Sequence, residues 1–228
     1  MGAGNGPTEP APGIGVLVSG SGSNLQAILD AAAAGSIPAP VRLVLSNRPE
    51  AYALQRAAEA GVEGRVIQHQ DYPDRETFDT AVAEALETAG VDLVVLAGFM
   101  RILSEGFVRR FEGRLLNIHP SLLPLYRGLH THRRALEAGD REHGCTVHFV
   151  TPELDAGPSI IQARVPIEPG DDADTLARRV LTEEHRIYPL AVRWHVEGRL
   201  VLMDGVPRLD GRPLREPVTI RPEDPLPA

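Results

Sequence analysis

The chain has 228 residues, a formal net charge of -8, a single cysteine, and 23 basic residues that are all arginine. That composition allows a sizeable core but excludes a disulfide framework, a Cys-rich zinc site, a lysine Schiff base and the lysine of a P-loop. With no run of about 18 apolar residues and no basic cluster, neither a membrane helix nor a nucleic-acid partner is expected, and the cysteine usage fits a cytoplasmic setting.

Met1 to Gly13 is rich in Gly, Pro and Ala and is expected to be a flexible N-terminal extension. Ile14 to Val18 is an apolar run ending in a Gly/Ser turn, and Asn24 to Ala34 is Ala-rich and helical. Val41 to Leu45 predicts a second strand, Ala51 to Ala60 a helix, and Arg65 to Gln68 a weak third strand. Arg75 to Ala89 has helical periodicity through Phe78, Val82, Ala85 and Leu86. Val91 to Ala97 is the most apolar strand. A short helix near Glu105 to Phe111 and a strand over Leu115 to Ile118 follow. Continuous apolar runs between amphipathic helices predict an α/β, Rossmann-like, mostly parallel sheet with helices on both faces. Ligands of such sheets bind beyond the carboxyl ends of the strands.

Further along, Thr131 to Ala138 predicts a helix, and Thr146 to Val150 and Ile160 to Val165 predict strands. Ala173 to Val196 is a long helical pattern carrying Pro189. Leu200 to Met203 and Pro207 to Leu209 predict a hairpin. Residues 14–210 are therefore expected to form one domain and 211–228 a C-terminal tail, with Arg221 to Ala228 flexible.

Two segments carry the chemistry. Ser19-Gly20-Ser21-Gly22-Ser23-Asn24 joins the first strand to the first helix. Its glycines permit close backbone approach, and the helix N-terminus presents N–H groups to an anion. Leu25 stands where a dinucleotide fingerprint has its third Gly, and Ser46-Asn47-Arg48 lacks the acid that holds a ribose, so a single phosphate on Gly22, Ser23 and Asn24 fits better than NAD. The same residues also fit a plain strand-to-helix turn with Ser23 or Asn24 as N-cap.

The second segment is Asn117-Ile118-His119-Pro120. On extended backbone Asn117 and His119 share a face. A neutral amide donor beside a side chain that titrates near neutral pH suits oxyanion stabilisation and proton transfer. A structural histidine at a strand end is the plainer alternative. Asp155, in the turn Leu154-Asp155-Ala156-Gly157-Pro158, gains a role only if the fold carries it to His119, where a carboxylate would favour the charged, donating ring. The eight histidines include His130 with His132 and His143 with His148, but none has the spacing of a zinc site, and no metal is expected.

These motifs occur in a telling order: Gly22-Ser23-Asn24-Leu25-Gln26-Ala27-Ile28, Ala97-Gly98-Phe99-Met100-Arg101-Ile102-Leu103, and Asn117-Ile118-His119-Pro120-Ser121-Leu122-Leu123-Pro124. His143-Gly144-Cys145-Thr146-Val147-His148 and Glu153-Leu154-Asp155-Ala156-Gly157-Pro158 follow. From about Ile14 to Arg199 the chain resembles the folate-dependent formyltransferases, in the branch that acts on glycinamide ribonucleotide in purine biosynthesis. The resemblance implies the formyltransferase fold, 10-formyltetrahydrofolate as cosubstrate, and the amine of N1-(5-phospho-D-ribosyl)glycinamide as acceptor.

It further implies Asn117, His119 and Asp155 as the catalytic group. Gly22, Ser23, Asn24 and Glu184 would bind the acceptor. Arg75 would meet the folate's glutamate tail. Met100, Arg101, Ile102, Leu103 and Asn117, with Thr151, Pro152, Glu153, Leu154 and Asp155, would hold the pteridine. Leu125 departs from the Ser or Lys of the wider family, although Tyr126 and Gly128 keep its aromatic-x-Gly. A homodimer is left open. A formyltetrahydrofolate hydrolase, which adds an N-terminal regulatory domain, and a non-catalytic ribonucleotide-binding module are the alternatives.

Overall fold

The computed structural model describes residues 12–227. Its element order is β1 (Gly13–Val18), α1 (Ser23–Ala33), β2 (Val41–Ser46), α2 (Tyr52–Glu59), β3 (Glu63–Val66), α3 (Arg75–Thr88), β4 (Val91–Leu96), α4 (Glu105–Arg110) and β5 (Leu115–His119). It continues with α5 (Thr131–Ala138), β6 (Glu142–Phe149), β7 (Ser159–Pro166), α6 (Ala173–Val196), β8 (Leu200–Met203), β9 (Val206–Leu209), β10 (Arg212–Pro213) and β11 (Val218–Ile220).

Eight strands form one sheet in the order β11-β7-β6-β5-β4-β1-β2-β3. From β3 to β5 it is parallel; β6 runs antiparallel to both β5 and β7. The apolar runs of β1, β4 and β5 are buried on both sides because each face of the sheet carries its own core. One core packs Val16, Val95, Leu116 and Phe149 against Ile28 of α1 and Ile187, Tyr188 and Trp194 of α6. The other packs Leu17, Val94 and Leu115 against Phe78, Val82 and Leu86 of α3 and Phe107 of α4. The mostly parallel α/β sheet with helices on both faces is the architecture that the alternating pattern predicts.

The structure differs from the sequence expectations in several places. β6 begins at Glu142 rather than Thr146, because the polar-looking Glu142, His143 and Gly144 pair with Pro166, Val165 and Arg164 of β7. β3 begins at Glu63, two residues early, and lies at the sheet edge where burial gives little periodicity. The segment expected as a tail from 211 instead supplies β10 and β11. β11 pairs parallel with β7, and Ile220 is buried there. Beyond it, the Arg186 guanidinium donates to the carbonyls of Arg221, Pro222 and Asp224, so this stretch is held to the fold rather than free. At the other end, residues 1–11 of the expected extension lie outside the described residues, and Gly13 already belongs to β1.

Candidate active site

The carboxyl ends of β1, β2, β4 and β5 lie side by side, since Val18 pairs with Ser46, Leu17 with Leu96, and Leu96 with Asn117. Ser19 ties the loops that leave them: its hydroxyl donates to Asn47 Oδ1 at 2.6 Å and accepts the Met100 N–H at 2.8 Å. From below, the Tyr188 hydroxyl on α6 reaches the carbonyls of Leu96 (2.8 Å) and Leu116 (3.1 Å). Asn117 therefore sits on a braced strand end.

His119 and Asp155 do meet. His119 Nδ1 lies 3.5 Å from Asp155 Oδ2, with side chains only 7% and 8% exposed. Nε2 of the same ring donates to the Tyr126 carbonyl at 2.9 Å. A carbonyl and a carboxylate only accept, so both ring nitrogens face acceptors. Asp155 Oδ2 also accepts the Gly128 N–H at 2.9 Å, and Glu153 pairs with Arg127 at 2.7 Å. The turn after β6 and the segment Tyr126 to Gly128 thus clasp the His119–Asp155 pair between them. Tyr126 and Asp155 both hold left-handed backbone, φ 54° and 49°, a conformation that costs a non-glycine residue energy and is often found at functional sites.

A fourth residue joins this group that the motif reading left out. His148 lies directly opposite Asn117 in the β5–β6 register. Its Nδ1–H donates to the Phe149 carbonyl at 2.8 Å, so Nε2 carries the lone pair and accepts from Asn117 Nδ2 at 3.1 Å. Burial pushes the His148 imidazole down to about 4, which keeps it in this neutral form. Sequence spacing carries no sign of the pairing; only strand register reveals it.

The residues expected to hold a phosphate also gain a partner. Asn24 Nδ2 donates to Glu184 Oε2 at 2.7 Å, and Glu184 is one turn before Tyr188 on the same face of α6. Burial pushes the Glu184 carboxyl up to about 7, although the Asn24 bond favours its charged form. Neither Ser23 nor Asn24 is the N-cap of α1. Gly22 holds that position in left-handed backbone, φ 71°, and no side chain caps the helix. The plain-turn alternative therefore lacks the capping bond it requires.

The residues expected around the pteridine divide into two groups. Met100 and Ile102 are 63% and 58% exposed beyond β4, and Leu154 is 51% exposed in the turn after β6. Leu103 is buried. Apolar side chains left in solvent at a strand rim fit a flat heterocycle. Arg75 and Arg101 both act on the buried Asp79, whose carboxyl is pushed up by burial and accepts the Ser104 N–H. Arg101 lies over the Phe78 ring at 5.4 Å, and Arg75, the first residue of α3, pairs with Glu76 at 3.4 Å.

Residues 13–192 match the family model described as Formyl transferase. The chain belongs to the formyl transferase family. It is 52% identical to the phosphoribosylglycinamide formyltransferase of Escherichia coli (strain K12) over 199 residues, covering 87% of this chain and 94% of that one. It is 51% identical to the trifunctional purine biosynthetic protein adenosine-3 of Drosophila melanogaster over 83% of this chain and 14% of that protein. The structure of the Coxiella burnetii phosphoribosylglycinamide formyltransferase in complex with CHES superposes with a TM-score of 0.88 at 47% identity, over 92% of this chain and 99% of that one. In this formyl transferase the matched span takes in the Gly22 loop, β4, β5, the Asp155 turn and Glu184.

Proposed function

We propose that this formyl transferase moves a formyl group from 10-formyltetrahydrofolate to the amine of glycinamide ribonucleotide, a step of de novo purine biosynthesis. The observation that carries the reading is the convergence of Asn117, His119 and Asp155, with His119 Nδ1 at 3.5 Å from Asp155 Oδ2 and Asn117 two residues away on the same strand. Likeness to phosphoribosylglycinamide formyltransferases over most of the chain, at 52% and 47% identity, also supports it.

The folate would supply a formyl group on a nitrogen leaving group. As the acceptor amine approaches the formyl carbon, negative charge gathers on its oxygen. Asn117 Nδ2 has a second N–H to give that oxygen, and His119 Nε2–H turns to it from the Tyr126 carbonyl. Asp155 Oδ2 faces Nδ1 and orients the ring. The proton lost by the amine passes to the leaving nitrogen directly or through water. Gly22, Ser23 and Asn24 hold the acceptor's phosphate at the uncapped α1 N-terminus, and Glu184 accepts from its ribose or glycinamide.

Arg75, Met100, Arg101, Ile102, Leu103 and the 151–155 turn take the folate. No helix among the described residues is long and apolar enough to cross a membrane. A cytoplasmic protein, monomeric or homodimeric, fits this chemistry. The test follows tetrahydrofolate release from 10-formyltetrahydrofolate with and without glycinamide ribonucleotide. Release only with the amine is expected. Release that ignores the amine would mean hydrolysis, and no release would mean a binding module.

A further inference from the structure

The turn that would receive the acceptor's phosphate is not self-supporting. Two of its carbonyls are taken by donors from α2: the Ala53 N–H bonds Gly20 O at 3.1 Å, and Arg56 Nε bonds Ser21 O at 2.8 Å. Contact is also close at Gly22, where an added Cβ would come within 2.6 Å of Ala53 Cβ and 3.4 Å of Arg56 Cδ. A side chain at this position would therefore push the turn off α2. Arg56 Nη1 then spans to Gln26 Oε1 on α1 at 3.0 Å, so one guanidinium links the turn and the helix that begins at it.

Among the described residues Arg56 forms no ion pair: its partners are oxygens of neutral groups and the Tyr52 ring, whose centroid lies 4.9 Å away. Nearby Glu59 and Asp30 are engaged by Gln55 and Gln26 instead. Burial pushes the imidazole of His185, the neighbour of Glu184 on α6, down, and the Arg56 charge adds to that shift. A half-buried cation without a counter-ion, beside an uncapped helix N-terminus, adds to the attraction of an anion there.

We propose that Arg56 is a positioning residue for the acceptor's phosphate, pinning the Gly20–Gly22 turn to α2 and adding its charge to the α1 N-terminus. The proposal rests on the phosphate-loop reading above and assigns Arg56 the discrimination between phosphorylated and unphosphorylated acceptors. It makes no claim on the chemical step.

The test compares wild-type, Arg56→Gln and Arg56→Lys full-length enzymes with glycinamide ribonucleotide, with its dephosphorylated riboside, and with inorganic phosphate as a competitor. Arg56→Gln is expected to raise KM for the ribonucleotide about tenfold, the size of one charge-assisted contact, with kcat within about twofold. KM for the riboside should stay unchanged, and competition by phosphate should weaken in parallel. Arg56→Lys, which keeps charge but not the two-point clamp, should fall between. An unchanged ribonucleotide KM in Arg56→Gln would overturn the proposal, as would an equal loss on both acceptors, which would mark Arg56 as merely structural. If the wild-type enzyme itself fails to prefer the ribonucleotide, the phosphate-loop reading fails instead.

Discussion

Asn117 and His148 face each other across the antiparallel β5–β6 pair, with Asn117 Nδ2 donating to the lone pair of His148 Nε2 at 3.1 Å. The bond fixes which end of the Asn117 amide points inward. A terminal amide can be flipped at little cost unless a partner distinguishes its oxygen from its nitrogen. His148 makes that distinction because its Nδ1–H is already committed to the Phe149 carbonyl. The N–H that the proposed mechanism gives to the formyl oxygen is thus aimed before substrate arrives.

His148→Phe is therefore expected to lower kcat about ten- to hundredfold through misorientation of Asn117, with acceptor KM nearly unchanged. A planar aromatic ring, larger and without hydrogen bonds, still fills the buried position. Steady-state kinetics at pH 7.5 on a variant of native melting temperature would check this, and an unaltered kcat would show that Asn117 aims itself.

Asn117→Ala removes the donor outright, and Asp155→Asn removes the charge while keeping the left-handed turn that Asn tolerates. Each should lose about two to three orders of magnitude in kcat and remain folded. Wild-type-like turnover in either, measured by tetrahydrofolate release, would contradict the roles given to them.

The sequence was most legible where burial is periodic. Helix α6 runs over Ala173–Val196 as its pattern predicts, and Pro189 does not end it because Ile187, Tyr188, Leu190 and Ala191 hold both of its sides in the core. Legibility fails where a strand's neighbour decides its fate. Val218, Thr219 and Ile220 stand among Pro, Arg and Glu and form a strand only because β7 offers a free edge. Among the site residues, Asn117 and His119 could be paired from their spacing alone. Joining Asp155 to them took the family likeness, and His148 needed the register. Glu184 could not be tied to Asn24 by any local signal, since 160 residues separate them.

The buried histidines set an acid limit. Burial pushes both His143 and His148 down to about 4 from an ordinary 6.5. Protons therefore bind the unfolded chain more readily than the native one. The stability these neutral rings contribute is present above about 6.5 and drains away as pH falls toward about 4. Each amounts to about 3 kcal/mol at most. Urea titrations from pH 7 to pH 4 should show this loss, and His143→Gln should flatten it relative to wild type. Parallel curves would exclude His143 as a source.

Glu184 acts in the opposite direction. Its carboxyl is raised from 4.5 to about 7, so the native state favours the protonated form. Stability is fully present below about 4.5 and declines as pH rises through about 7, by about 3 kcal/mol at most. Glu184→Gln should match wild type near pH 4.5, melt higher at pH 8, and yet bind the acceptor more weakly. Such a trade between stability and binding is expected of a charge kept buried for a ligand. Equal melting temperatures at pH 8 would show that the buried carboxylate is relieved by some other means.

The C-terminal strand offers a test of the fold apart from the chemistry. Deleting residues 217–228 would uncover β7, expose the contacts of Ile220, and strip Arg186 of the carbonyls of Arg221, Pro222 and Asp224. It would also break the 2.7 Å pair of Arg221 with Glu142, an exposed contact of small effect. Burying an isoleucine contributes about 1.5 to 3 kcal/mol, and each hydrogen bond to a charged group somewhat less after solvent exchange. A loss of about 4 kcal/mol in a chain of this size lowers the melting temperature by roughly 10 °C. Because β11 lies three strands from β5, kcat at 25 °C should hold while the protein remains folded. A truncated enzyme that melts with wild type would return residues 217–228 to the status of a tail. One that melts lower and turns over normally would establish β11 as part of the scaffold alone.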